Sequence, residues 1–156
     1  MIREVSLLKK TAKFPLILLA AVLLFVFSGC SARTAISAKD FQTLAEKAGY
    51  TVTDNTKTAA GAKSFLTASN DKDAELSYAA LSDDAAALRV YNSFRDQIQA
   101  GDNKAKNVDS TPYAKYSVTN GELHYVVCRV NNTVIYGKCT AADAAATDRF
   151  FDSIHY

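Results

Sequence analysis

Side chains able to do chemistry are sparse in this chain: three cysteines, two histidines, and one adjacent carboxylate pair, Asp83-Asp84. His124, Cys128 and Cys139 are metal-ligand types, but a structural zinc site takes four ligands and no further ligand is placed near them, so no metal is expected. Asp83-Asp84 has two readings. Paired carboxylates can do acid-base work with little sequence signal, and adjacent acids also suit the positive end of a helix dipole. There is no CxxC, no GxSxG and no glycine-rich loop joining a strand to a helix, so no catalytic residue is assigned. His155 reads as a solvated residue beside the C-terminus.

The elements that must position these groups follow from periodicity. In "ISAKDFQTLAEKAGYTV", Ser37 can cap a helix, Phe41, Leu44, Ala45 and Ala48 recur at helical spacing, and Gly49 can end it. A second helix is capped by Ser82, with Leu88, Tyr91, Phe94 and Ile98 as its apolar stripe before Gly101. A third starts near Thr140, whose reach to Asp143 imitates a capping box, and buries Phe150, Phe151 and Ile154. Strands are expected at Tyr50 to Asp54, Lys63 to Ala68 and Glu75 to Leu81, with three more between the second and third helices. The expected fold class is α+β, an antiparallel sheet of about six strands in the order helix, three strands, helix, three strands, helix. That order fits an internal duplication, and it also fits an ordinary α+β domain.

The segment "YAKYSVTNGELHYVVCRVNNTVIYGKC" contains Asn120-Gly121, a strong hairpin signal, and Asn131-Asn132, a second two-residue turn. The pairing that follows sets Tyr116 opposite Tyr125, Val118 opposite Leu123 and Val127 opposite Tyr136, on a face with Val134 that serves as core. The other face carries Lys115, Ser117, Thr119, Glu122 and His124, then turns apolar at Val126, Cys128, Val130 and Ile135, with Tyr113 nearby. Two readings are open for that face: cover by a helix or loop, or a binding patch for a protein partner or an extended ligand.

The same pairing sets Cys139 opposite His124 and Cys128 opposite Ile135, about 13 Å apart along the sheet at about 3.3 Å per residue. A disulfide would need the chain to curl back after Gly137; otherwise the two cysteines are separate small hydrophobes. Eight tyrosines without tryptophan suggest an aromatic strip for glycan, but Tyr116, Tyr125 and Tyr136 fall on the core face, leaving Tyr113 as the available ring. "NNT" at Asn131 reads as a turn rather than a glycosylation site.

The third cysteine sits in a different context. Arg3, Lys9, Lys10 and Lys13 precede an apolar block from Leu16 to Phe27, the layout of a secretory signal. As a helix that block reaches about 18 Å, short of the roughly 30 Å hydrocarbon core. Phe27-Ser28-Gly29-Cys30 resembles a bacterial lipobox, with Phe27 in place of the usual Leu, Val or Ile. The resemblance implies that residues 1–29 are a lipoprotein signal peptide and that Cys30 becomes the first mature residue, carrying a diacylglyceryl group on its sulfur. Two acyl chains hold a protein at a membrane where one does so only marginally. Residues 30–36 then form a short tether and 37–156 one domain.

Removing the leader takes away four of 18 basic and one of 16 acidic side chains, leaving 14 against 15 and a net charge of −1. With no Lys/Arg cluster, nucleic-acid binding is excluded. The lipobox, the segment after the tether, "YSVTNGELHYVVCRVNNTVIY" and the closing helix together resemble small uncharacterised lipoproteins of Gram-positive, Firmicutes-type bacteria. That group supplies no catalytic residue. The expectation is a lipid-anchored domain on the outer face of the cytoplasmic membrane, with no cofactor beyond the covalent diacylglycerol, acting as a non-catalytic binding module for an envelope protein. The alternatives are a small cell-envelope hydrolase using carboxylates and a structural or inhibitory envelope protein.

Overall fold

Turn chemistry and alternation build one seven-stranded antiparallel sheet, strand order β1-β2-β3-β7-β6-β5-β4. A computed structural model describes residues 33–98 and 105–156; Cys30 and the leader lie outside the described residues. The elements are α1 (Ala38–Lys47), β1 (Thr51–Asp54), β2 (Ala62–Ser69), β3 (Glu75–Leu81), α2 (Asp84–Ile98), β4 (Lys106–Asp109), β5 (Tyr113–Asn120), β6 (Leu123–Val130), β7 (Thr133–Thr140) and α3 (Ala144–Ser153). The α+β class and the antiparallel sheet are as expected. The strand count is seven rather than six because β4, a four-residue exposed edge strand, pairs with β5. Its "KNVD" carries no apolar alternation and so gave no strand signal.

Local signals set the helix ends. Ser37 caps α1 by accepting the Asp40 N–H at 3.1 Å, and Gly49 leaves the helix at φ +89°. Asp83, rather than Ser82, caps α2: its Oδ1 accepts the Ala86 N–H at 2.7 Å while the Ser82 hydroxyl donates to its Oδ2. Leu88 is 40% exposed, so the buried stripe of α2 runs through Ala87, Tyr91 and Ile98. Before α3, Thr140 donates to Asp143 across a short 3-10 turn, Ala141–Asp143.

The β6–β7 register, Val127 opposite Tyr136 and His124 opposite Cys139, is the predicted one. The β5–β6 register is not: Tyr116 lies opposite Val127 and Val118 opposite Tyr125. Gly121, at φ +60°, is the first central residue of the turn, flanked by paired Asn120 and Leu123. That is the glycine position of a type II′ turn rather than the Asn-Gly centre of a type I′. The slip is two residues, so every side chain keeps its predicted face.

The two faces are covered differently. Face one carries Leu66, Ala68, Leu76, Tyr78, Tyr113, Val126, Cys128, Val130 and Ile135, packed against Phe41 and Ala45 of α1 and Phe150 and Phe151 of α3. Gly137 permits that contact: a Cβ there would stand 2.8 Å from a Phe151 ring carbon. Face two packs Ala114, Tyr116, Val118, Val127 and Val134 under Ala87, Tyr91 and Ile98 of α2. A rotation superposing β3 on its antiparallel neighbour β7 keeps faces, yet α1 and α2 lie on opposite faces. The repeated element order is therefore not a two-fold structural repeat.

Candidate functional site

The face proposed as a possible binding patch is core. Val126, Cys128, Val130 and Ile135 are fully buried and Tyr113 is 9% exposed, all in one cluster with Phe41 of α1 and Phe150 and Phe151 of α3. Sequence alone could not separate cover from exposure, because the covering side chains, Phe41, Phe150 and Phe151, come from opposite ends of the domain. Among the tyrosines, Tyr116 is buried on the expected core face with Tyr125 and Tyr136 packed against that cluster, but the ring expected to be available is not. Tyr113 is buried with the Arg33 guanidinium 3.9 Å above its ring, whereas Tyr125 and Tyr136 stay half-buried at the edge of α2, Tyr136 stacked on Phe94 at 4.7 Å.

The reactive side chains are used structurally. Cys128 and Cys139 are free and buried. Burial pushes the Cys128 thiol far above its ordinary value and raises Cys139 as well, a hydrogen bond with Thr147 opposing the latter. Neither is a thiolate at neutral pH, so neither is an activated nucleophile. Asp83 is committed to capping: the Ala86 amide, then the Ser82 hydroxyl, hold its carboxyl below the usual range. That is the opposite of the raised pKa a general acid needs at neutral pH.

His124 is 4% exposed and joins two elements. Its Nδ1 lies 2.9 Å from Thr119 Oγ1 and its Nε2 lies 3.3 Å from Asp148 Oδ1 on α3. With the proton on Nε2, the Thr119 hydroxyl donates to the ring and the ring donates to Asp148, so the hydroxyl and both ring nitrogens are satisfied. The sequence hydroxyl, imidazole, carboxylate is that of an acyl-transfer triad. Such chemistry also requires space for a substrate beside the hydroxyl and donors for the oxyanion, and the imidazole here is only 4% exposed with both nitrogens engaged. The arrangement instead straps α3 to the β5–β6 hairpin. Asp148 lies 24 residues from His124, so no local motif announces it.

Two concave features among the described residues bear on function. A cleft of about 230 Å³ lies between the end of α1 (Ala48 to Tyr50), the β2–β3 turn (Asn70 to Ala74) and the start of α3 (Asp143, Thr147, Phe150). Its turn wall is built by Asn70, whose Oδ1 accepts the N–H groups of Lys72 and Ala74. Burial, then the nearby Cys139, raises the Tyr50 hydroxyl on its other wall, against a hydrogen bond with Thr147. The cleft is smaller than the roughly 300 to 1,000 Å³ of usual small-molecule sites. The second is a shallow hollow at Asp54, Thr56, Lys57, Lys63 and Ser64.

A broader open surface lies on face two. α2 packs on β3, β7 and β6, and beyond it β1, β2 and the start of β3 present Thr51, Thr53, Phe65, Thr67, Ser69, Glu75 and Ser77, all exposed or half-buried. Tyr125, Tyr136 and Lys138 border this shelf, with Lys138 Nζ 3.9 Å from Glu75 Oε2. It is a flat, hydroxyl-rich surface ending at aromatic rings. The alternation of Thr51-Thr53 and Thr67-Ser69 is readable in the sequence, but it looks like any solvated strand face.

Compared with known proteins, the chain matches no family model, no curated protein and no solved structure. No helix among the described residues is long and apolar enough to cross a membrane.

Proposed function

We propose that this chain is a lipid-anchored, non-catalytic binding module at the outer face of the cytoplasmic membrane, held by a diacylglyceryl group on Cys30, and that the shelf on face two receives an envelope protein or an extended ligand. The anchoring part rests on the basic leader, the apolar block and the lipobox-like Phe27-Ser28-Gly29-Cys30. The observation that carries the binding part is the unequal cover of the sheet. Face one is roofed by two helices, while β1 and β2 on face two have none among the described residues. The acids support binding over catalysis: Asp83 caps a helix, Asp148 straps His124, and Asp143 is held by Thr140.

Both parts are tested with the full-length chain expressed in a Gram-positive host. A fatty-acid analogue should label the wild type and not Cys30→Ala; label retained in Cys30→Ala overturns the anchor. An envelope protein recovered near equimolar with the wild type should be lost with the double variant Thr53→Arg, Ser77→Arg, while thermal unfolding stays unchanged. Recovery indifferent to that variant overturns the shelf as the binding surface.

A further inference from the structure

Residues 33–36, expected as part of a free tether, are bound to the domain. The Arg33 guanidinium lies over the Tyr113 ring and its Nη1 donates to the His155 carbonyl at 3.0 Å. The Ile36 N–H donates to the Tyr156 hydroxyl at 3.1 Å, and the Ile36 carbonyl accepts from the Tyr78 hydroxyl at 2.9 Å. The chain is thus fastened across face one from β5 to β3, and the compact unit begins at Arg33. Cys30 stands three residues earlier, a reach of at most about 11 Å when fully extended. A headgroup layer is itself roughly 5 to 8 Å deep on each side of the hydrocarbon core.

We propose, resting on the anchor reading above, that the Arg33 corner of the domain is a membrane-apposed surface whose partner is the phospholipid headgroups of the bilayer that holds Cys30. A tether this short brings the corner to headgroup level. The exposed side chains there suit that place. Val108 on β4 is 52% exposed, the more exposed of the two large apolar side chains that stand out among the described residues. Lys106 shares its face of the edge strand, two residues away, and lies on the same side of the sheet as Arg33. Lys115, opposite Val108, is 3.3 Å from the exposed Asp152 carboxylate, which leaves Lys106 and Arg33 as the cations of the corner; an apolar side chain beside such cations matches the boundary between acyl chains and anionic headgroups. Asp109 points to the other face of the strand.

The sheet then orients everything else. The β2–β3 turn, with Asp71 at its tip, is about four strand spacings from Val108, roughly 19 Å, and roughly 15 Å further along the strands, or roughly 25 Å in all. The cleft between α1, that turn and α3 therefore lies well away from the headgroup contact.

The test uses the full lipidated chain in vesicles of phosphatidylcholine and phosphatidylglycerol carrying a nitroxide on the headgroup. A fluorophore is placed on Val108→Cys or on Asp71→Cys; the native Cys128 and Cys139 are fully buried and stay unlabelled. Quenching is expected to be several-fold stronger at position 108 than at 71. A 15-residue Gly/Ser insertion after Ala32, spanning about 22 Å on average, should erase the difference. Equal quenching with the native tether, or stronger quenching at position 71, overturns the proposal. Mass spectrometry of the same preparation separates the two failures: an unmodified Cys30 removes the anchor and this orientation together, whereas a lipidated Cys30 with equal quenching removes the orientation alone.

Discussion

Face one and face two of the same sheet are covered to different extents: one lies under two helices over most of its width, from β2 to β6, and the other under a single helix over about half. Face one receives α1 and α3, which enter from the two ends of the domain and meet over β3 and β7, where Gly137 lets Phe151 lie against the sheet. Face two receives α2 alone, and the strands beyond its reach carry Thr and Ser instead of Val and Ile. The apolar alternation of a strand reports that a face will be covered, and it is silent about which element does it. On this domain the uncovered surface is where the strand residues are polar, so the apolar patch that invites a binding hypothesis is the wrong place to look for one.

The contrast breaks most sharply at Val126. Val126→Glu places a charge without a partner at a fully buried position, and loss of about 4 kcal/mol or more is expected, enough to unfold many domains. Circular dichroism of the purified variant checks this; a folded Val126→Glu would mean that α1 and α3 leave face one open in solution.

Alkaline titration probes both faces at once. Burial pushes Tyr78 and Tyr113 on face one, and Tyr91 and Tyr136 on face two, up to about 12 from an ordinary 10. The unfolded chain releases these protons first, so their stabilising effect is complete below pH 10 and is lost as pH rises toward 12. Urea midpoints should fall across that window, and Tyr78→Phe with Tyr113→Phe should flatten the fall. A flat midpoint in the wild type would contradict the burial of these rings.

Gly137→Ala is the smaller structural test. Its Cβ would enter the space of the Phe151 ring and crowd Leu76 Cδ2 at 3.2 Å, so α3 must lift slightly. A cost of about 1 to 3 kcal/mol is expected, measured as a shift in chemical-denaturation midpoint. No change would mean that α3 already rides free of face one.

Much of this was legible in local spacing. Ser37 and Gly49 bounded α1, the Asn131-Asn132 turn set the β6–β7 register, and Phe150, Phe151 and Ile154 were placed in the core. Misses arose where two local solutions are nearly equal in energy or where no local signal exists. Asn120-Gly121 can centre a type I′ turn or offer its glycine to a type II′ turn, and the interlocking of β6 with β7 and the 3-10 turn selects the second: the Ala141 N–H donates to the Glu122 carbonyl. Ser82 and Asp83 can each cap a helix, and Asp83 takes the role with Ser82 donating to it. The His124 strap depends on Asp148, which only the docking of α3 brings within reach.

By itself, the sequence determined the helices, most of the strands and the parity of β5, β6 and β7, because each of these is written in contacts between residues a few positions apart. Which face of the sheet is sealed, which tyrosines stay accessible and how little free chain separates Cys30 from the domain were decided only by the tertiary structure. Those outcomes depend on residues more than a hundred positions apart, such as the Ile36 N–H with the Tyr156 hydroxyl and the Arg33 guanidinium with the His155 carbonyl, and no local pattern encodes such a meeting.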